Sequence, residues 1–288
     1  MKQRVITAVV LLALLAVVVW QINTPVLVLV IAFLAAVAAN EIMRCAKVEN
    51  TFIRVVATGY AACVPFFASA KALTPWVSQA VWGKVIGAVP GVVYLIALVV
   101  VLLLAMLKGY AYTTFEDVAV SVFAGALVPF GFSVFIRLRD MFQIEQFGIY
   151  LIFYGLICAL ATDSGAQLAG MAFGKHKMSP NISPKKTVEG AIGGLIGGVI
   201  GVTLLHLIAS SLGRIILQSP LQILVYGIVG SAISQIGDLS FSVIKREFGV
   251  KDYGHLLPGH GGILDRFDSV TFAAPAVWLT LQLTVYCF

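Results

Sequence analysis

The sequence predicts an all-α polytopic membrane protein of about nine transmembrane helices, N-terminus cytoplasmic and C-terminus on the opposite side. Three observations predict it. The 288 residues are 60% hydrophobic and only 11% charged, with a mean hydropathy of +1.00, whereas a soluble domain carries about 25% charged residues. Apolar stretches of roughly 18 residues or more recur along the chain, and each can cross a bilayer as a helix. The basic residues fall between these stretches with a strong bias to alternate gaps, which sets an orientation. So little sequence remains between spans that no sizeable soluble domain is expected.

Lys2 and Arg4 lead into an apolar run that ends at Trp20. The run resembles a signal peptide, but it lacks a small-residue cleavage site and continues straight into further apolar sequence, so it reads as an uncleaved first span. The expected spans are 4–20, 25–43, 52–70, 86–107, 117–136, 147–170, 189–212, 219–243 and 268–287. Pro65 and Pro129 interrupt the third and fifth, which is tolerable where neighbouring groups satisfy the freed carbonyls. Residues 71–85 read as a re-entrant turn or a plain loop.

A cytoplasmic N-terminus places Lys2, Arg4, Arg44, Lys47, Arg54 and Lys108 on one side, together with the lysines of 171–188 and Lys245, Arg246, Lys251 and Arg266. Only Lys71, Lys84, Arg137, Arg139 and Arg214 remain for the other side. Removing one of the first five spans would put the basic 171–188 loop outside, so nine are preferred. The net charge of +6 and pI near 9.2 are explained by topology and anionic substrates, and no nucleic-acid partner is expected. Cys45, Cys63, Cys158 and Cys287 form no CxxC pair, so neither a disulfide framework nor a zinc site is indicated.

Candidate chemistry gathers in 160–268. Asp163 lies ~18 Å and Asp238 ~10 Å into their spans if helical throughout. Intramembrane carboxylates are costly and usually face a partner or an aqueous cavity. A helix-packing carboxylate is the plain alternative, but Thr162-Asp163-Ser164-Gly165 and Ser234-Gln235-Ile236-Gly237-Asp238 are rich in oxygen donors, which suits a hydrated hard cation. In 171–188, four lysines, His176 and several hydroxyls precede a helix opening near Thr187. Lysine charge, backbone amides and the helix N-terminus would all favour an anion there. A headgroup-contacting basic loop is the alternative. Gly174-Lys175 lacks the GK[ST] ending and a preceding strand, so a P-loop is rejected. The glycines from Gly190 to Gly201 suit close helix packing.

The stretch from Ser242 to Asp268, SVIKREFGVKDYGHLLPGHGGILDRFD, is the most informative. Lys245, Arg246, Lys251 and Arg266 can neutralise phosphate oxygens. Gly259-His260-Gly261-Gly262 offers a turn through which amides can approach a phosphate. Asp265 and Asp268, three apart, would share a face where the last helix begins. With Asp238 they make three carboxylates near the cytoplasmic surface, a grouping that calls for a divalent cation.

This stretch resembles, position by position, the signature of the CDP-diacylglycerol synthase (phosphatidate cytidylyltransferase) family: S-x-x-K-R-x4-K-D-x-G-x2-L-P-x-H-G-G-x-x-D-R-x-D. Asp163-Ser164-Gly165-Ala166, Phe173-Gly174-Lys175-His176-Lys177, Ser183-Pro184-Lys185-Lys186-Thr187 and Ser234-Gln235-x-Gly237-Asp238-Leu239 are similar to further family motifs, in family order. The resemblance is close over 160–270 and architectural over 1–150. Gln167 stands where relatives usually carry an aromatic residue.

The resemblance implies that CTP and phosphatidic acid give CDP-diacylglycerol and pyrophosphate, at the cytoplasmic face of a bacterial inner membrane, by a homodimer. It implies Mg2+ with a monovalent cation (K+) as second metal, held by Asp238, Asp265 and Asp268, with Asp163 associated. On the same resemblance Lys251 and Arg266 would join these aspartates in catalysis. Ser183, Lys185, Lys186, Thr187, Lys245, Arg246, His260, Gly261 and Gly262 would hold the triphosphate or the lipid headgroup. On this reading residues 1–140 provide scaffold, lipid access and dimer contact, and 141–288, with loops 171–188 and 244–267, is the catalytic region. A cation-coupled transporter would need matching interrupted helices in two halves, and none is seen. The D-G-x2-A-R string of CDP-alcohol phosphatidyltransferases and the Asp-Asp-x-x-Asp motif of polyprenyl-phosphate sugar transferases are absent. A non-catalytic scaffold has no need of so many close charges.

Overall fold

A computed structural model describes residues 2–69, 71, 77–88, 91–141, 145–213, 218–259 and 261–287; the expected phosphate ligand His260 lies outside them. The chain is helical almost throughout and divides into two units, one of residues 1–137 and 250–266, the other of 138–249 and 267–288.

The first unit opens with α1 (Lys2–Trp20) and α2 (Val26–Cys45). Alanine and β-branched residues dominate α2, and Val28, Ala35, Ala38, Ala39, Ile42 and Met43 are buried. α2 is therefore the central post of this unit. Asn50 caps α3 (Thr51–Cys63), its side chain accepting from the Phe52 and Ile53 amides. Pro65 then forces a 3-10 turn over Val64–Phe67, since it has no amide to donate and its ring crowds the preceding turn. α4 (Gln79–Ala88) is a ten-residue helix where the sequence suggested a loop or re-entrant turn; Trp82 anchors it by donating from Nε1 to the Phe66 carbonyl and stacking near Phe67. α5 (Gly91–Lys108) is largely exposed, as suits a helix facing lipid.

Thr114 caps α6 (Phe115–Val122) in a reciprocal box with Asp117. Pro129 does not break this span. The helix widens into a π segment over Phe123–Leu127 and runs on as α7 (Val128–Asp140). The wider turn accommodates a residue without an amide, and Ser133 Oγ donates to the Pro129 carbonyl at 2.6 Å.

The second unit is built on α8 (Glu145–Phe173), α9 (Val188–Ser211), α10 (Pro220–Glu247) and α12 (Val270–Cys287). Between α8 and α9 lies the small hairpin β1 (Lys177–Ser179) and β2 (Ser183–Thr187), antiparallel. The short α11 (Leu264–Phe267) precedes a turn at Asp268–Ser269. The glycines of α9 act as the sequence suggests. A Cβ on Gly197 would sit 2.6 Å from the Ala161 carbonyl, so the α8 and α9 backbones approach as only glycine permits.

Among the described residues, six helical segments are long and apolar enough to cross a bilayer: Val26–Cys45, Gly91–Lys108, Phe115–Asp140, Gly148–Phe173, Val188–Ser211 and Pro220–Glu247. They identify an integral membrane protein. The other expected spans are also helical, over residues 2–20, 51–67 and 270–287.

Candidate active site

The second unit carries an acidic group set among lysines. α8 presents Asp163 ten residues before its end at Phe173, ~15 Å along the axis. The side chain is nevertheless exposed and accepts from Ser269 Oγ at 2.9 Å. An exposed carboxylate at that depth belongs in an aqueous recess, since lipid would not tolerate it. α10 presents Asp238, whose Oδ2 pairs with Lys186 Nζ at 2.5 Å. Asp268 lies in the turn before α12, its Oδ1 accepting from the Ser269 amide at 2.8 Å. The charges acting on the Asp268 carboxylate are those of Asp238 and Asp163, which repel it, and of Lys245, which attracts it.

Three mutually repelling carboxylates facing two lysines are oxygen donors short of positive charge, and that chemistry fits a hard divalent cation. Among the described residues, no three His, Cys, Asp or Glu side chains converge as a self-sufficient metal cage. Mg2+ does not require one: it commonly takes one or two carboxylates and fills its shell with water and phosphate oxygens.

The basic hairpin stands in the same unit. Lys185 is exposed, and Ser183 and Lys186 are partly so. Thr187 is buried and caps α9, accepting from the Gly190 amide at 3.1 Å. Arg246 donates from Nε to the Ile182 carbonyl at 3.2 Å, tying the end of α10 to the hairpin turn. Lys245 is 9% exposed.

Asp265, Lys251, Arg266, Gly261 and Gly262 belong to the first unit. Lys251 and Arg266 are exposed. Gly259 and Gly261 take φ of +75° and +86°, the left-handed region in which glycine is at ease, and the Leu257 amide donates to the Gly261 carbonyl at 2.9 Å. Asp265 Oδ2 accepts from the Tyr253 and Gly262 amides at 2.8 and 3.0 Å. The last long helix begins only at Val270, so Asp265 sits on the short α11 and Asp268 in the turn after it, and they do not open one common helix.

Sequence reasoning missed Glu189 and Glu41, and named Thr162 only as one oxygen donor beside Asp163. Glu189, in the first turn of α9, accepts from the Lys175 and His176 amides and from His176 Nδ1, at 2.6 Å for the ring nitrogen. Thr162 Oγ1 lies 2.7 Å from the Cys158 carbonyl and 2.9 Å from Ser231 Oγ, bridging α8 to α10 directly behind Asp163. Glu41, near the end of α2, is 7% exposed and accepts from the Ile263 and Leu264 amides. The available signal for Glu41 was a carboxylate inside an otherwise apolar span.

The model of the cytidylyltransferase family matches residues 2–284. The phosphatidate cytidylyltransferase of Bacillus subtilis (strain 168) is 39% identical over 171 residues, 59% of this chain and 60% of the relative. That of Staphylococcus aureus (strain COL) is 38% identical over 169 residues, 58% and 60% respectively. The Staphylococcus haemolyticus (strain JCSC1435) protein is 38% identical over 169 residues, with the same shares. The matched part of the chain thus spans 60% of the length of these relatives.

Proposed function

This chain belongs to the cytidylyltransferase family, and on that premise we propose that it transfers a cytidylyl group from CTP to phosphatidic acid, giving CDP-diacylglycerol and pyrophosphate for phospholipid biosynthesis. The observation that carries the reading is the grouping of Asp163, Asp238 and Asp268 with Lys186 and Lys245 in one helical unit of a membrane protein.

The chemistry follows from charge. A phosphate monoester oxygen of the lipid forms a bond to the α-phosphorus of CTP, and the bond from that phosphorus to the bridging oxygen breaks. The electron pair leaves with pyrophosphate. The nucleophile is already an anion, so no strong general base is needed. The obstacle is repulsion between two polyanions, and fixed positive charge lowers it. On the family motif, Lys185, Lys186, Lys245, Arg246, Lys251, His260 and Arg266 would hold phosphate oxygens, as would Ser183, Thr187, Gly261 and Gly262, although the Gly262 amide is already given to Asp265 and the Thr187 hydroxyl accepts from the Gly190 amide. Mg2+, held by Asp238 and Asp268 with Asp163 beside them, would neutralise the reacting phosphates and the leaving pyrophosphate, with K+ as a second cation. Asp265 joins this set on the strength of the signature motif.

The remaining reading is architectural. Nine spans place the N-terminus and the basic loops 171–188 and 244–267 in the cytoplasm and the C-terminus outside, in a bacterial inner membrane. Residues 1–140 serve as scaffold, lipid access and homodimer contact, and 141–288 as the catalytic region.

The deciding measurement is pyrophosphate release from CTP by detergent-purified protein, with and without phosphatidic acid and Mg2+. Release requiring both additions is expected. Release independent of phosphatidic acid, or none with all components present, would overturn the assignment.

A further inference from the structure

Glu41 is a carboxylate in the last turns of α2, surrounded by buried alanine, isoleucine and methionine. Burying a charge costs several kcal/mol unless hydrogen bonds replace the lost water. Both of its oxygens have such bonds: Oε1 accepts from the Ile263 amide and Oε2 from the Leu264 amide, each at 2.9 Å. These donors lie 222 and 223 residues away in sequence. Two glycines admit the carboxylate. A Cβ on Gly254 would sit 2.5 Å from Oε1, and one on Gly262 would sit 2.6 Å from it. Asp265 takes the next amides, Gly262 and Tyr253, so the two carboxylates between them hold the loop at both ends.

We propose that Glu41 is a positioning residue for the 253–264 loop, its carboxylate serving as the template on which the loop backbone is shaped. The consequence is functional. Lys251 and Arg266 flank the templated stretch, and both reach solvent, so the course of that backbone sets where their charges stand. Glu41 itself touches no substrate; it acts through the loop. The activity arm of the test rests on the cytidylyl-transfer reading, and the exchange arm does not.

The experiment uses the full chain in detergent, with Glu41→Gln, Glu41→Ala and Glu41→Asp. Gln keeps one acceptor but turns an NH2 toward an amide donor. Hydrogen–deuterium exchange over residues 253–264 should quicken about tenfold or more in the Gln and Ala variants, with α5 and α9 unchanged. The kcat/KM for pyrophosphate release should fall about tenfold in the same variants. Asp, which keeps both oxygens but withdraws them by one carbon, should fall between. Unchanged exchange over 253–264 would overturn the proposal, as would a rise shared equally by all helices, which would mean general loosening. If the wild type releases no pyrophosphate, the cytidylyl-transfer reading fails and the exchange pattern alone decides the role of Glu41. If Gln and Ala do not fold, the Asp variant carries both readouts.

Discussion

Asp268 is partly buried and pressed by the charges of Asp238 and Asp163, so neutralising it has two effects of opposite sign. Asp268→Asn removes a repelling charge and should leave the thermal unfolding midpoint unchanged or slightly raised. The same change should lower CTP-dependent pyrophosphate release by about a hundredfold or more, the scale of losing an electrostatic stabiliser in a reacting site. A turnover within a few fold of wild type would remove Asp268 from the site. Lys186 pairs with Asp238 in a setting about a quarter exposed, where an ion pair contributes little, on the order of 1 kcal/mol or less. Lys186→Ala should therefore barely move stability yet raise the KM for CTP about tenfold, as expected for a lost phosphate contact. Steady-state kinetics beside a thermal melt separate the two effects.

At the level of helices, the second unit depends on the closeness of α8 and α9. A side chain at Gly197 has no space beside the Ala161 carbonyl, and overpacking of this kind costs about 1–3 kcal/mol. Gly197→Leu should lower the unfolding midpoint and weaken turnover together, because parting α8 from α9 moves Asp163. Thr162 and Ser231 form the complementary link from α8 to α10, with neither side chain exposed. Thr162→Val keeps the volume but removes the hydroxyl and leaves Ser231 short of a partner, at about 1–3 kcal/mol. Turnover should fall in Thr162→Val and recover in Thr162→Ser, measured at a temperature where both remain folded.

For the molecule as a whole, the proposed topology makes the 171–188 loop cytoplasmic. Lys177→Cys in a Cys63→Ala, Cys287→Ala background should react with a membrane-impermeant maleimide in inverted vesicles and stay unlabelled in intact spheroplasts. The reverse pattern would invert the orientation argued from the basic residues. Chelation offers a separate test: excess EDTA should abolish turnover, and added Mg2+ should restore it.

Much of this architecture was legible in the chain itself. Hydrophobic length and the lack of charge announce a membrane helix locally, because lipid demands that every backbone bond be closed within the segment. The six long apolar helices therefore coincide with stretches visible by composition. Thr187 opens its helix where a hydroxyl before a glycine-rich run suggested, since capping is also local. The failures involve partners remote in sequence or a compensation that no single residue announces. Pro129 reads as a break until a π segment absorbs it. Glu41 reads as an anomaly in an apolar span until amides more than two hundred residues away are brought to its carboxylate. Similarly, Asp163 meets Ser269 and Asp238 meets Lys186 only when four helices and a hairpin have packed. Local chemistry specifies which segments become helices and which residues carry charge, but the pairing of those charges depends on how distant segments fold against one another.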